Sequence, residues 1–269
     1  MSDFQYLPLS VKNLSISLEE ILEAIKTSST WEYKSLYFDR IANFYKQVGI
    51  GELLMTDDES ALHRHLQLGI QAYVEFLQNA APAEIATSKI SAFLDAVCMA
   101  DVAAMTTLAQ LAPTQRNPRK EYEEDFLYMR ILMDVFGLGK TLEDVQGLLD
   151  EFEAFHAENP DQRFTALTAL LTNDAQAFHD ALETLIVEHE TGYAKGGDLY
   201  QGTVDEAPIL AAVSTEVAAL VKLAKKQGMA VAAQYSLAPS SVMIDCVLPA
   251  PAPRSWLAYR SPYRSFSLS

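Results

Sequence analysis

Apolar residues recur at three- and four-residue steps along most of this chain, and no strand pattern repeats. Ser17 and Glu20 have the spacing of a capping box, which would open a short helix through Ile21, Leu22 and Ile25. Thr30 caps a second helix, whose apolar residues run from Trp31 through Leu36, Phe38, Ile41, Phe44 and Tyr45 to Val48, with Gly49 as its stop. Asp57 or Asp58 begins a third, in which Leu62, Leu66, Ile70, Tyr73, Val74 and Leu77 step along one face until Pro82 ends it. Ala83 to Ala112 reads as one Ala- and Met-rich helical region with a kink, and Lys120 to Phe136 as a fifth helix. Thr141 and Asp144 form another box, opening a sixth helix to Ala157. Pro160 starts a seventh through Phe164, Leu167 and Leu170. Asn173 or Asp174 caps an eighth through Phe178, Leu182 and Ile186.

A glycine-containing loop over Gly192 to Gly202 leads into the most apolar stretch, Asp205 to Gly228. Pro208 suits a first helical turn, Asp205 and Glu206 complement the dipole at one end, and Lys222, Lys225 and Lys226 do so at the other. Gly228 supplies a left-handed stop. Apolar or small residues on most sides of this stretch predict one long helix at the centre of the domain, with Glu216 alone interrupting its stripe. Ala230 to Leu237 is a short strand or extended piece, and Pro249, Pro251, Pro253 and Pro262 keep the end from being regular helix. Short connections favour antiparallel neighbours. The prediction is all-α: a single-domain multi-helix bundle of antiparallel α-hairpins with about nine helices. Residues 1–249 form the domain, and 250–269 form a Pro/Arg/aromatic-rich C-terminal tail with a short extended segment before it. A fixed 34-residue repeat is absent.

Composition narrows the classes. A chain of 269 residues with 49% hydrophobic content can bury a core without disulfide or metal, and no apolar run is long enough to span a membrane. The first ten residues place no basic cluster before an apolar run, so a cytoplasmic protein is expected. Cys98 and Cys246 then read as reduced thiols. The net charge of −16 disfavours nucleic acid and anionic membrane as direct partners and favours a basic one. The tail reverses this sign: Arg254, Arg260 and Arg264 stand there without an acid.

No constellation meets the requirements of an active site. Gly137, Gly139, Lys140 and Thr141 imitate the end of a phosphate loop, but Asp134 occupies the position of its first glycine. His63 and His65 point apart on a helix, and His179 and His189 lack zinc-protease spacing. No Gly-x-Ser-x-Gly elbow surrounds Ser240 or Ser241. Catalytic, cofactor-binding and metal residues are therefore assigned to none. Charge and position select a partner-binding set instead: Glu121, Glu123, Glu124 and Asp125, where acids cluster near a helix start, with Glu188, Glu190, Asp198 and Tyr200. The tail's Trp256, Tyr259, Tyr263 and Phe266 alternate with arginines, as in a peptide docked across the helices or a partner-binding strip.

The block from Val213 to Ile244 resembles the C-terminal signature of the immunity protein 49 family. The likeness lies in the alanine-rich helix, its Lys-Leu-Ala-Lys-Lys-Gln-Gly-Met-Ala-Val close from Lys222 to Val231, the extended piece reaching Ala238-Pro239, and the apolar end Val242 to Ile244. Leu170 to Asp174 is compatible with it. The resemblance implies an all-helical, non-enzymatic protein that binds a cognate secreted bacterial toxin, the product of an adjacent gene, and blocks it by occlusion. An acidic surface then implies a toxin with a basic site acting on nucleic acid or another anionic substrate. A helical adaptor binding a peptide or protein, a helical enzyme with an unrecognised site, and a homodimer stay open.

Overall fold

The computed structural model describes residues 6–28, 30, 31, 37–194, 206–245 and 248–263. Its described elements are helices joined by turns, with one isolated antiparallel bridge between Tyr235 and Ala238. The fold is all-α. In chain order the helices are α1 (Leu7–Thr27), α2 (Phe38–Thr56), α3 (Glu59–Asn79), α4 (Ala92–Cys98), α5 (Val102–Leu111), α6 (Glu123–Leu132), α7 (Leu142–Glu158), α8 (Gln162–Thr172), α9 (Ala175–Ala194), α10 (Ala207–Leu210) and α11 (Thr215–Lys226).

The α2–α3 hairpin is the most extensively packed pair, with α1 against α2, α4 against α3, and α11 against α4. Asp57 makes the hairpin turn in the left-handed region at φ 56°, and the Asp58 carboxylate accepts from the backbone N–H groups of Ser60 and Ala61. Gly49 does not stop α2; the helix runs on through Gly51 to Thr56. Both glycines serve contact. A Cβ on Gly49 would lie 2.8 Å from the Cβ of His65 on α3, and one on Gly51 would lie 2.3 Å from a methyl of Val11 on α1. Gly51→Ala gains helix propensity of about 1 kcal/mol but overpacks a site whose neighbour is β-branched and stiff, a cost of about 1–3 kcal/mol. Net destabilisation is expected in a urea titration, with Val11→Ala added to Gly51→Ala recovering part of the overpacking loss.

Other expectations need correction. First, α1 begins at Leu7, a full ten residues before the Ser17/Glu20 box. Leu7, Val11, Leu14, Leu18, Leu22 and Ile25 form its buried stripe, and Pro8 is harmless in the first turn. Second, Ala83 to Ala112 is not one kinked helix. Two 3₁₀ turns, Pro82–Glu84 and Thr87–Lys89, precede α4, and Ala100 at φ 54° separates α4 from α5. Third, the long central helix is broken. It comprises α10 and α11, divided at Ala211–Ser214. Ser214 is extended; its N–H donates to the Leu237 carbonyl at 2.8 Å, and its side chain caps the Val217 N–H. Gly228 does end α11, at φ 78°. The helix expected from Lys120 starts at Glu123 and continues beyond Leu132 as a π turn, Met133–Gly137. The loop expected over Gly192–Gly202 begins within α9 and otherwise lies outside the described residues.

The described part of the tail is folded back. Trp256 is fully buried against Phe38, ring centroids 5.6 Å apart, with its indole N–H donating to Glu75 at 3.1 Å. The Tyr45 hydroxyl, buried and thereby pushed far above its ordinary pKa, donates to the Trp256 carbonyl. Ser15, buried in α1, meets the hydroxyls of Tyr259 at 2.6 Å and Ser261 at 2.8 Å.

The box that opens α7 forms as expected: Thr141 caps the Asp144 N–H while Asp144 accepts from the Thr141 N–H at 2.8 Å. The Thr141 hydroxyl is the first cause holding the Asp144 carboxyl below its usual range, and that of Ser60 does the same for Asp58. A depressed carboxylate adds stability above its unfolded pKa and loses it as pH falls through the folded value. Asp144→Asn should therefore lower the melting temperature near neutrality and flatten its decline between about pH 5 and pH 2, read by thermal scans across pH.

Candidate functional site

Residues 141–194, which carry α7, α8 and α9, hold twelve acids and one base. This unit supplies −11 of the chain's net −16. Glu143, Asp144, Asp150, Glu151, Glu153 and Glu158 stand in α7; Asp174, Asp180, Glu183, Glu188 and Glu190 stand at or within α9; all are exposed. Asp161, at the head of α8, is half-buried. The α8–α9 hairpin turns at Asn173, left-handed at φ 58°, and Asp174 accepts from the Ala177 N–H. Phe152 of α7 meets Phe164 of α8 edge-on at 5.1 Å. The acids are thus mounted on packed helices, and Gln146 and Gln176 donate to Asp150 and Asp180 one turn on.

The single base, Arg163, is not available to offset them. It pairs with Asp161 at 2.7 Å and with Asp125 of α6 at 2.6 Å, and lies over the Tyr128 ring at 5.5 Å. Glu216, in the first turn of α11, acts on the same group. The starts of α6, α8 and α11 therefore converge on one guanidinium, each contributing an acid where its helix dipole favours one. Burial, then the Glu216 carboxylate, pushes the Tyr128 hydroxyl well above its ordinary pKa.

The predicted partner-binding residues fall into different surroundings. Glu121 is buried, and its carboxylate accepts from the N–H groups of Ser88 at 2.8 Å and Asn117 at 2.9 Å, the geometry of a loop anchor. Asp125 is engaged by Arg163. Glu123 is exposed beside Tyr122, itself 74% exposed, and pairs with Arg116 at 3.3 Å, while Glu124 is half-buried. Glu188 is exposed on α9 next to Val187, 57% exposed, and Glu190 accepts from Ser236 at 2.8 Å. Asp198 and Tyr200 lie outside the described residues. Residue-by-residue selection passed over the α7 acids. A windowed count of charge finds them, because residues 141–162 hold seven acids and no Lys or Arg.

The remaining motifs are absorbed by structure. Asp134 pairs with Arg130 and with Lys140 at 3.0 Å, so the lysine of the phosphate-loop imitation is held by a carboxylate. His63 faces the Glu59 carbonyl at 2.8 Å, while His65 faces Glu52 at 3.1 Å, so the two imidazoles diverge. His189 meets the Leu210 carbonyl at 2.8 Å. Cys98 is a buried free thiol, pushed up to about 12 by burial, and Cys246 lies outside the described residues. No group of His, Cys, Asp and Glu among the described residues could hold a metal ion. A polar cleft of about 460 Å³ lies between α2, α10 and the start of α11, lined by Arg40, Lys46, Gln47, His189, Glu206 and Glu216 among others. Lys46 there is paired with buried Asp95 at 3.0 Å. No described helix is long and apolar enough to cross a membrane.

No curated protein and no solved structure matches the chain. A model of immunity protein 49 matches residues 52–242, from the end of α2 past α11. That span takes in the acidic three-helix unit and the Val213–Ile244 block as far as Val242, and it covers well over half of the sequence, so the chain belongs to the immunity protein 49 family.

Proposed function

We propose that this protein neutralises a cognate bacterial toxin by stoichiometric occlusion, using the acidic α7–α9 unit as its contact surface. The observation that carries the reading is the concentration of −11 net charge in 54 consecutive residues whose one arginine is already engaged. Such a field draws in a basic partner quickly and orients it before contact. The toxin presents a basic site, as enzymes acting on nucleic acid or other anionic substrates do. Glu188 and Glu190 belong to the contact surface. Glu123 and Glu124, beside exposed Tyr122, extend it towards α6. The α7 acids Asp150, Glu151 and Glu153 join them.

No group here needs to make or break a bond; coverage of about 800 Å² per partner suffices. The protein works in the cytoplasm of the producing cell, where its toxin would otherwise act, and the toxin is encoded beside it. Residues 1–249 act as the binding domain, and the tail 250–269 serves to close it. Co-expression with the neighbouring toxin gene tests the reading. A one-to-one complex and a surviving host are expected. A toxic host with no complex, at equal expression of both proteins, would refute it.

A further inference from the structure

A second cleft, of about 420 Å³, lies beside the C-terminal half of α11, and its chemistry is the reverse of the acidic unit's. Val97, Met105 and Leu223 are buried apolar side chains in its lining, and Met243 is half-buried. Val102 also lines it and is 56% exposed, an apolar group left in water at the edge of a concave surface. The other lining residues are Ala100, Lys222, Lys225, Lys226 and Asp245.

The three lysines differ. Lys222 is committed: its ammonium donates to the carbonyls of Cys98 and Ile244 and pairs with Asp245 at 2.8 Å. It thereby pins the 243–245 segment against the end of α4 and shapes one wall. Lys225 and Lys226 are exposed, and neither has an ion pair or hydrogen bond with a described residue. Favourable alignment with the α11 dipole explains their charge. It does not explain an open apolar cleft at their side.

We propose that this cleft binds a single-chain anionic amphiphile, its carboxylate at Lys225 and Lys226 and its hydrocarbon chain over Val97, Met105, Leu223 and Met243. An apolar concavity with a few polar groups at its rim is the usual form of a small-molecule site. Charge complementarity selects the head group: in a protein of net charge −16, two lysines that line one cleft and pair with no described residue favour an anion at this place. The site is separate from the toxin-binding reading and stands without it.

Dodecanoate is the probe, titrated into the full-length protein below its micellar range and followed by methyl NMR and calorimetry. Saturable binding is expected, with shifts at Met105 and Met243. K225Q/K226Q should weaken it by about tenfold, the effect of losing two exposed charge contacts, and K225R/K226R should retain it. Dodecyltrimethylammonium should not perturb these methionines. Absence of saturable dodecanoate binding, equal affinity in folded K225Q/K226Q, or equal binding of the cationic amphiphile would overturn the proposal.

Discussion

Replacing Asp150, Glu151 and Glu153 together by lysine is expected to slow association with the cognate toxin by about 10- to 100-fold at low ionic strength. The three side chains are exposed along one stretch of α7, and the change moves the local charge by six units. Steering acts on the encounter, so the effect should sit mainly in the association rate, with a smaller change in dissociation. It should shrink as salt rises and the Debye length falls below about 10 Å. Glu20→Lys, an exposed reversal on α1, is the control and should alter the rate only slightly. Stopped-flow mixing with an active-site-inactivated toxin gives both rates. An unchanged association rate in a folded triple variant would remove the acidic unit from the encounter.

Asp134→Ala should cost about 3–5 kcal/mol of folding stability, because removing one partner leaves the other as a buried, uncompensated charge. Arg130 is 1% exposed and Asp134 3% exposed, one turn apart where α6 passes into the π turn. The guanidinium also donates to the carbonyls of Ala109 and Ala112 at 3.4 Å, tying the end of α5 to α6. Those neutral acceptors cannot replace a carboxylate. Lys140 would lose its partner too, but it is 39% exposed and can turn to water. Arg130→Met combined with Asp134→Leu should recover most of the loss, since an apolar pair of similar volume avoids burying charge. Urea denaturation of the two variants checks the sign. A single variant as stable as the parent would mean that the pair is not buried in solution.

The helices read correctly from sequence are those whose signals are local. Asp58, Thr141 and Asp174 each cap the helix assigned to them, and each lies within three residues of the N–H it serves. The errors arose where a residue's reason lies far along the chain. Gly49 and Gly51 look like helix breakers, yet each is there because another helix comes within contact distance of its Cα. Ser10 and Ser15 lie beside the apolar stripe of α1, on the face that is buried, where sequence alone predicts apolar residues. Ser15 is nevertheless buried, because its hydroxyl partners are 244 and 246 positions away. The break before α11 was hidden by Ala211 and Ala212, good helix formers, while the cause is the bond from Ser214 to Leu237.

The candidate surface was legible in the same uneven way. Acids at Glu121 to Asp125 form the densest run, which drew attention to them. Two of that run are engaged by neighbours distant in sequence: Glu121 by Ser88 and Asp125 by Arg163. The α7 acids are spread over many residues and stand out only when the missing bases are counted with them.

The association rate of this protein with its toxin, measured from about 20 mM to about 500 mM salt, tests the central proposition most directly. The rate should fall steeply and smoothly as salt increases, while one-to-one stoichiometry is kept. Fast, tight binding that is indifferent to salt would contradict the account, because the −11 carried by α7–α9 would then have no part in finding the partner.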